Sequence, residues 1–244
     1  ESVRKVMQGA DAVVNCVGTF DAKGKNNFGA VQNEGAERVA RIAAEEGVAR
    51  MVHISAIGAD LNSTSVYAQT KAQGEEAVLK HMPNAMILRP SVIFGPEDQF
   101  FNRFAGMSRM GPVLPLVGAE TKFQPVYVDD VARAAVMGVT GEAAPGIYEL
   151  GGPDVDTFRE LIKQMLDIIR RRRFLVNIPF GVASGMGSVF DTLKRLTGGL
   201  IPAQITRDQV ESLKQDNVVS DGAKGFADLG ITPASLEAVL PEYL

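Results

Sequence analysis

The chain has 244 residues, of which 45% are hydrophobic and 22% charged, and its net charge of −4 argues against a general nucleic-acid-binding surface. Its single cysteine, Cys16, excludes a disulfide within these residues and indicates a reducing compartment. No metal-binding spacing occurs, and no apolar run reaches the ~20 residues that span a bilayer. No signal peptide is recognisable, so the sequence predicts a cytoplasmic protein.

The first half of the sequence alternates apolar strands with amphipathic helices. Compact apolar runs at 12–18, 51–55 and 85–88 are typical of buried parallel strands. Apolar residues recur at helical spacing over 31–47, and a second helix covers 67–81. This alternation predicts a parallel sheet built from β-α-β units.

The second half of the sequence is less regular. Its predicted elements are helices at 98–109, from 129, at 157–169 and from 206, with extended segments at 113–117, 124–128 and 146–152. We divide the chain into a larger α/β domain, 1–150, and a smaller C-terminal region, 151–244. Four arginines at 170–173 precede an apolar, glycine-rich segment that ends at 202. The arginines are either a solvated helix end or a surface that binds a partner or anionic lipid. The apolar segment is either core of the smaller domain or a surface that docks on a membrane enzyme.

The sequence lacks one feature of a dinucleotide-binding fold. Such a fold begins with a strand, a glycine-rich turn that holds the pyrophosphate, and a helix. Gly181, Gly185 and Gly187 follow Pro179 and stand too late in the chain to supply that turn. We therefore expect a Rossmann-like, doubly wound α/β fold that lacks its first β-α-β unit and ends in a small α/β region. We also expect the chain to be the carboxy-terminal portion of a longer polypeptide.

Tyr67 and Lys71 are four residues apart on the second helix and therefore lie on one face of it. An ammonium beside a phenol favours the phenolate, which suits acid–base chemistry near neutral pH, and the lysine can also hydrogen-bond a ribose. Ser55, which ends the preceding strand, is a third candidate. The plain alternative is an exposed helix face that carries a tyrosine and a lysine. His53 and His81 have no evident partner, and we assign them no role.

Five motifs, in the same order, resemble those of the extended short-chain dehydrogenase/reductases of the NAD-dependent epimerase/dehydratase type. They are Asn15-Cys16-Val17-Gly18, Asn33-Glu34-Gly35, Tyr67 with Lys71, Leu88-Arg89-Pro90-Ser91-Val92-Ile93-Phe94-Gly95-Pro96, and Val126-Tyr127-Val128-Asp129-Asp130-Val131-Ala132. Tyr127 stands where histidine is usual in that family. The resemblance covers essentially the whole chain and implies that a nicotinamide dinucleotide lies across the carboxyl ends of the strands. It therefore implies that 1–150 is an incomplete NAD(P)-binding domain and that 151–244 serves a substrate or a partner.

The resemblance implies catalytic roles for Tyr67, Lys71 and Ser55, and it implies no metal site. The residues that would bind the cofactor are Asn15, Val17, Gly18, Ser55, Tyr67, Lys71, Pro90, Ser91, Val92 and Ile93. One position departs from the family pattern: Ala56 stands where the hydroxyl that polarises the substrate carbonyl usually follows the strand-end serine. Alanine cannot donate a hydrogen bond, and the loss of such a donor costs about a hundred- to a thousandfold in rate. A one-residue shift of the alignment would return this role to Ser55.

The C-terminal region narrows the resemblance. Thr206-Arg207-Asp208-Gln209-Val210 and Ala227-Asp228-Leu229-Gly230-Ile231 resemble a bacterial branch related to the accessory subunit of respiratory complex I called alpha-subcomplex subunit nine. That branch implies a structural NADP(H), rather than NAD(H), and complex I as a partner at the inner face of the cell membrane. Two alternatives stay open: an active epimerase, dehydratase or reductase with Tyr67 as the acid–base residue, and a redox sensor without an enzyme partner. The sequence predicts neither a nucleic-acid partner nor a transmembrane segment.

Overall fold

The computed structural model describes residues 1–20, 24–185 and 206–244. The chain divides into two compact units whose segments interleave. The first unit comprises Glu1–Ser91, Asp129–Gly151 and Val219–Thr232, and the second comprises Val92–Val128, Gly152–Val218 and Pro233–Leu244. One crossing between the units falls next to the predicted boundary after residue 150. The other crossings place 92–128 in the second unit and 219–232 in the first, so a single boundary does not separate the units.

The elements alternate between strands and helices over the first half of the chain, as the sequence predicts. In chain order the described elements are α1 (Ser2–Met7), β1 (Ala12–Asn15), a π-helical turn (Gly29–Glu34), α2 (Gly35–Glu45), β2 (Arg50–Ile54), α3 (Val66–His81), β3 (Met86–Pro90), β4 (Ile93–Phe94), α4 (Phe101–Met107), β5 (Val113–Val117), β6 (Lys122–Phe123), β7 (Val126–Tyr127), α5 (Val128–Thr140), β8 (Gly146–Leu150), β9 (Asp156–Thr157), α6 (Phe158–Ile168), β10 (Phe174–Ile178), α7 (Arg207–Ser212), a 3-10 turn (Phe226–Leu229), α8 (Leu236–Val239) and a 3-10 turn (Leu240–Glu242).

A parallel sheet forms the centre of the first unit. Within the described residues its strands stand in the order β1-β2-β3-β8, and every neighbouring pair is parallel. The register places Asn15 opposite His53 and Pro90 opposite Leu150. The predicted parallel α/β fold is therefore confirmed, and the carboxyl ends of its strands lie at one edge.

Helices cover both faces of this sheet. On one face Met51 and Ile87 pack into a buried apolar cluster with residues of α2 and α3. On the other face α5 lies so close that a Cβ atom added to Gly138 would come within 2.6 Å of Val52 Cγ2 and 2.7 Å of Met86 Sδ. Alternate strand residues thus face opposite helix layers, which is the doubly wound arrangement.

The second unit has its own apolar core, which is rich in phenylalanine. Phe94, Phe101 and Phe158 are nearly inaccessible to solvent and pack with leucines of β5 and α6. α6 starts at a capping box, in which Thr157 Oγ1 accepts from the Glu160 backbone N–H and the Glu160 carboxylate accepts from the Thr157 N–H. The predicted helix at 157–169 is therefore present at 158–168.

The arginines at 170–173 lie directly after α6. Arg170 adopts a φ of +52°, and the Arg171 N–H donates to the Leu166 carbonyl, so the chain turns back at the helix end. Of the apolar segment that follows, residues 186–202 lie outside the described residues. None of the described helices is both long enough and apolar enough to pass through a bilayer.

Candidate functional site

Three neighbouring strands carry predicted site residues at their carboxyl ends. β1 ends at Asn15, β2 ends at Ile54 immediately before Ser55, and β3 ends at Pro90. Because these strands are parallel and adjacent, all three ends lie along one edge of the sheet. That edge is where ligands bind in open α/β folds.

The loop after β1 passes close to the ammonium group of Lys71. Asn15 is buried, and its Oδ1 accepts a hydrogen bond from the Val17 backbone N–H (3.2 Å), which fixes the turn into the loop. A Cβ atom added to Gly18 would lie 3.4 Å from Lys71 Nζ. Glycine at this position therefore leaves the space beside the ammonium open, while Val17 is 59% exposed.

Helix α3 presents its polar site residues along one face. Ser65 caps its N-terminus by accepting a hydrogen bond from the Ala68 N–H. Tyr67, Lys71 and Glu75 follow at intervals of four residues, so the helix places them one above the other. Lys71 and Glu75 are both buried, and the predicted alternative of an exposed helix face does not apply to them.

The Lys71 ammonium is buried beneath the end of β2. Nζ donates a hydrogen bond to the Ile54 carbonyl oxygen (3.0 Å), and only 5% of the residue is exposed. Burial lowers the pKa of Lys71 to about 8, because the charged form loses water, and the Glu75 carboxylate opposes this shift. The side chain therefore remains mostly protonated at neutral pH and can donate to a ligand beside Gly18.

Tyr67 is half-buried in an aromatic cluster. Its ring stacks on Phe20, with centroids 4.6 Å apart and planes inclined by 18°, and meets the edge of Phe28 at 6.0 Å. Burial raises the pKa of Tyr67 above its usual value. The sequence-based expectation of a lowered pKa is therefore wrong, because burial penalises the charged phenolate.

Ser55 directs its hydroxyl into the protein interior. Ser55 is buried, and its hydroxyl donates a hydrogen bond to Glu75 Oε1. Its backbone N–H donates to the Leu88 carbonyl (2.7 Å), which extends the β2–β3 pairing by one residue. Ala56 follows without a hydroxyl.

A buried ion network extends from Ser55 across the sheet. Arg89 binds Glu75 through two hydrogen bonds, Nε to Oε1 (2.9 Å) and Nη2 to Oε2 (2.6 Å). Arg89 Nη1 also lies 3.5 Å from Oε1 of Glu149, whose second oxygen accepts from the Ser220 N–H (2.8 Å). One arginine thus neutralises two carboxylates at low solvent exposure. Removal of any one of these side chains would leave a buried charge without its partner and destabilise the fold.

The residues after β3 divide between the two units. Pro90 is buried at the end of β3 and its carbonyl accepts from the Ile57 N–H (3.0 Å), while the Ser91 N–H donates to the Leu150 carbonyl (2.9 Å). Val92 and Ile93 belong to the second unit. Of the ten predicted site residues, eight therefore lie in the first unit.

Comparison with known families agrees with this geometry. Residues 1–176 match the family model described as the RmlD substrate binding domain. The chain belongs to this family of short-chain dehydrogenase/reductases. The family predicted from the five sequence motifs is thereby confirmed.

Of two curated relatives of this short-chain dehydrogenase/reductase, one is named as a subunit of a larger complex and the other as a reductase. The mitochondrial NADH dehydrogenase (ubiquinone) 1 alpha subcomplex subunit 9 of Arabidopsis thaliana is 36% identical over 250 residues, which cover 100% of this chain and 62% of that protein. The ceramide reductase of Caulobacter vibrioides is 27% identical over 195 residues, which cover 79% of this chain and 61% of that protein. The chain spans less than two thirds of the length of both relatives.

A solved structure shows the same fold. MoeE5 in complex with UDP-glucose and NAD aligns with a TM-score of 0.71 over 100% of this chain and 82% of that chain. Its sequence identity of 13% makes this a likeness of fold.

Sequence reasoning about this short-chain dehydrogenase/reductase missed several residues of the site. The motifs contain Arg89 without assigning it a role, and Glu75 lies outside them, although it continues the four-residue spacing of Tyr67 and Lys71. His53 received no role, yet its Nδ1 lies 3.1 Å from Asn15 Nδ2. The four-residue spacing could have indicated Glu75, whereas only the strand register brings His53 to Asn15.

Proposed function

We propose that the chain holds a nicotinamide dinucleotide without turning it over, as an accessory protein of the complex I type. The observation that carries this proposal is the environment of Ser55. Its hydroxyl donates to Glu75 in the protein interior, and Ala56 has no hydroxyl to polarise a carbonyl. The site thus retains groups that suit a ribose, Tyr67 and Lys71, without the donor that substrate reduction needs.

The residues present fit the dinucleotide. Lys71 would hold the nicotinamide ribose, together with Tyr67, and the open space beside Gly18 would admit the sugar next to the ammonium. Asn15, Val17, Pro90 and Ser91 would complete the binding surface of the first unit. The bound dinucleotide supplies a hydride in reactions that use it. In this protein the chain's own residues would bind and orient the cofactor.

The finer assignments rest on relatedness. The Arabidopsis relative is named as a subunit of NADH dehydrogenase (ubiquinone), which supports complex I as the partner. The preference for NADP(H) over NAD(H) follows from the resemblance to the subunit-nine branch. A cytoplasmic protein bound to the inner face of the membrane would be in place to meet this partner and this cofactor. The first unit would be the dinucleotide-binding part, and the second would serve the partner.

Binding without turnover can be tested on the full-length protein that contains this chain. We expect purified protein to retain NADPH through dialysis and to leave it reduced in the presence of sugar nucleotides. Lys71→Met should weaken binding about tenfold or more, since a hydrogen bond from a charged donor contributes about 1.5–3 kcal/mol. Lys80→Met, which removes an exposed lysine of the same helix, is the control and should leave binding unchanged. NADPH oxidation that Tyr67→Phe abolishes would overturn the accessory function.

An active reductase is the second candidate. The similarity to the Caulobacter ceramide reductase and the retained Tyr67–Lys71 spacing favour it. In that case the wild type would oxidise NADPH with a carbonyl substrate. Ala56→Ser would raise the rate by about a hundredfold, because it restores the missing donor. Lack of turnover in both proteins would count against this candidate.

The partner can be tested separately. Affinity capture of the tagged full-length protein from solubilised membranes should recover complex I subunits. Recovery of other proteins only, at native expression level, would contradict the partnership. That result would leave the dinucleotide measurement unaffected.

A further inference from the structure

Asn15 and His53 form a buried polar pair across two strands. They are direct partners in the β1–β2 register, and their exposed fractions are 3% and 1%. Asn15 Nδ2 lies 3.1 Å from His53 Nδ1. The contact joins His53 in β2 to Asn15, the last residue of β1 before the loop that leads to Gly18. The proposed function assigns no role to the histidine.

The neighbouring hydrogen bonds fix the roles in this pair. Asn15 Oδ1 accepts from the Val17 N–H, so the amide nitrogen of Asn15 is the group that faces His53. An amide N–H can only donate, and His53 Nδ1 must therefore be the acceptor, with its proton on Nε2. The histidine thus holds the asparagine in the one amide orientation that binds Val17.

The surroundings keep this imidazole neutral. Burial lowers the pKa of His53 to about 4, and the Lys71 ammonium adds to the shift. Nε2 is buried and has no hydrogen-bond partner among the described residues. The fold therefore tolerates an unpaired donor in order to keep the Nδ1 lone pair directed at Asn15.

We propose that His53 is a positioning residue of the dinucleotide site, which acts through Asn15 on the Val17–Gly18 backbone. The inference rests on the proposed binding function. Without the Nδ1 acceptor the Asn15 amide can rotate, the Val17 N–H loses its partner, and the loop beside Lys71 loses its fixed path. His53 itself does not touch the ligand.

Two variants separate this role from simple packing. His53→Phe preserves the ring but removes the acceptor. His53→Asn removes ring volume but places Oδ1, an acceptor, the same number of bonds from Cβ as Nδ1. If His53 only fills space, the phenylalanine variant should bind NADPH more tightly than the asparagine variant. If His53 positions Asn15, the asparagine variant should bind NADPH more tightly.

The experiment measures three quantities in the full-length protein: melting temperature, hydrogen exchange of the Val17 amide without ligand, and the NADPH dissociation constant. In His53→Phe we expect Val17 exchange to accelerate and the dissociation constant to rise about three- to tenfold, the effect of one lost hydrogen bond. In His53→Asn we expect both to stay within about twofold of wild type, even though the cavity lowers its melting temperature more.

The opposite order would overturn the inference. If Val17 exchange and NADPH binding follow the melting temperature, His53 is only a packing residue. Unchanged exchange of the Val17 amide in His53→Phe would also contradict the proposal that His53 acts through Asn15 on the Val17 backbone. If the wild type binds no NADPH, the proposed function fails instead, and the ligand-free exchange measurement still decides whether His53 controls the loop.

Discussion

Ser55 donates its hydroxyl hydrogen bond to Glu75, which lies one helical turn beyond Lys71 on α3. The hydroxyl is therefore directed at an interior carboxylate that Arg89 also binds. This relationship makes Ser55 part of the ion network that joins α3 to the sheet. The same hydrogen bond gives the strand-end serine a structural role that needs no substrate.

The Glu75–Arg89 pair should contribute strongly to folding. Arg89→Met leaves Glu75 and Glu149 buried without their cation, and we expect it to lower the free energy of unfolding by about 3–5 kcal/mol. The double variant Glu75→Gln with Arg89→Met should lose less than the sum of the single changes, because it removes one uncompensated charge. Urea denaturation at pH 7 measures both.

A control for this cycle is Arg41→Met. Arg41 pairs with Glu45 on the exposed surface of α2, and its loss should change the free energy of unfolding by less than about 1 kcal/mol. Equal losses for Arg41→Met and Arg89→Met, or strict additivity in the cycle, would contradict the assignment of a coupled buried network.

Gly74→Ala should destabilise the protein because α3 approaches the π-helical turn Gly29–Glu34 at this glycine. A Cβ atom there would lie 2.2 Å from the Gln32 carbonyl oxygen, which is backbone and cannot move away cheaply. We expect a loss of about 1–3 kcal/mol in the free energy of unfolding, measured by denaturation. Gly106→Ala in α4, whose Cβ would meet no atom within 4 Å, is the control and should be neutral or slightly stabilising.

The sequence predicts those parts of the site that local patterns define. Buried apolar runs that stop at turn residues place Asn15, Ser55 and Pro90 at one sheet edge, and the four-residue spacing places Tyr67 and Lys71 on one helix face. Each of these features depends on neighbours in the chain. Local periodicity is therefore sufficient to find them.

The remaining features depend on distant residues. Arg89 lies 60 residues from Glu149, and Asn15 lies 38 residues from His53, so sheet order and register alone bring these partners together. The same reason explains the interleaved units. β4 and β7 are two-residue strands that pair with each other, and such short strands carry no periodic signal.

His53 should make folding stability depend on pH. Its pKa is about 4 in the folded protein and about 6.5 in an unfolded chain, so between these values the unfolded state binds more protons. The free energy of unfolding should therefore fall as pH decreases from about 6.5 to about 4, by on the order of 3 kcal/mol from this group.

Denaturation of wild type and His53→Phe across that range measures the effect. The variant should show a shallower decline, because it lacks the titrating group. Parallel curves for the two proteins would show that His53 is not neutral by burial.

The Phe20–Tyr67 stack should control the ionisation of the phenol. Phe20 covers one face of the Tyr67 ring, and burial holds the pKa of Tyr67 above its usual value. Phe20→Ala should admit water to that face and lower the pKa towards the ordinary value of about 10. Ultraviolet absorbance titration measures phenolate formation, and the difference between proteins with and without Tyr67→Phe isolates this tyrosine from the others.

Phe28→Leu, which keeps an apolar side chain at the ring edge, should change the pKa less than Phe20→Ala does. If the two changes lower the pKa equally, or if Phe20→Ala leaves it unchanged, the stacked ring is not what desolvates the phenol.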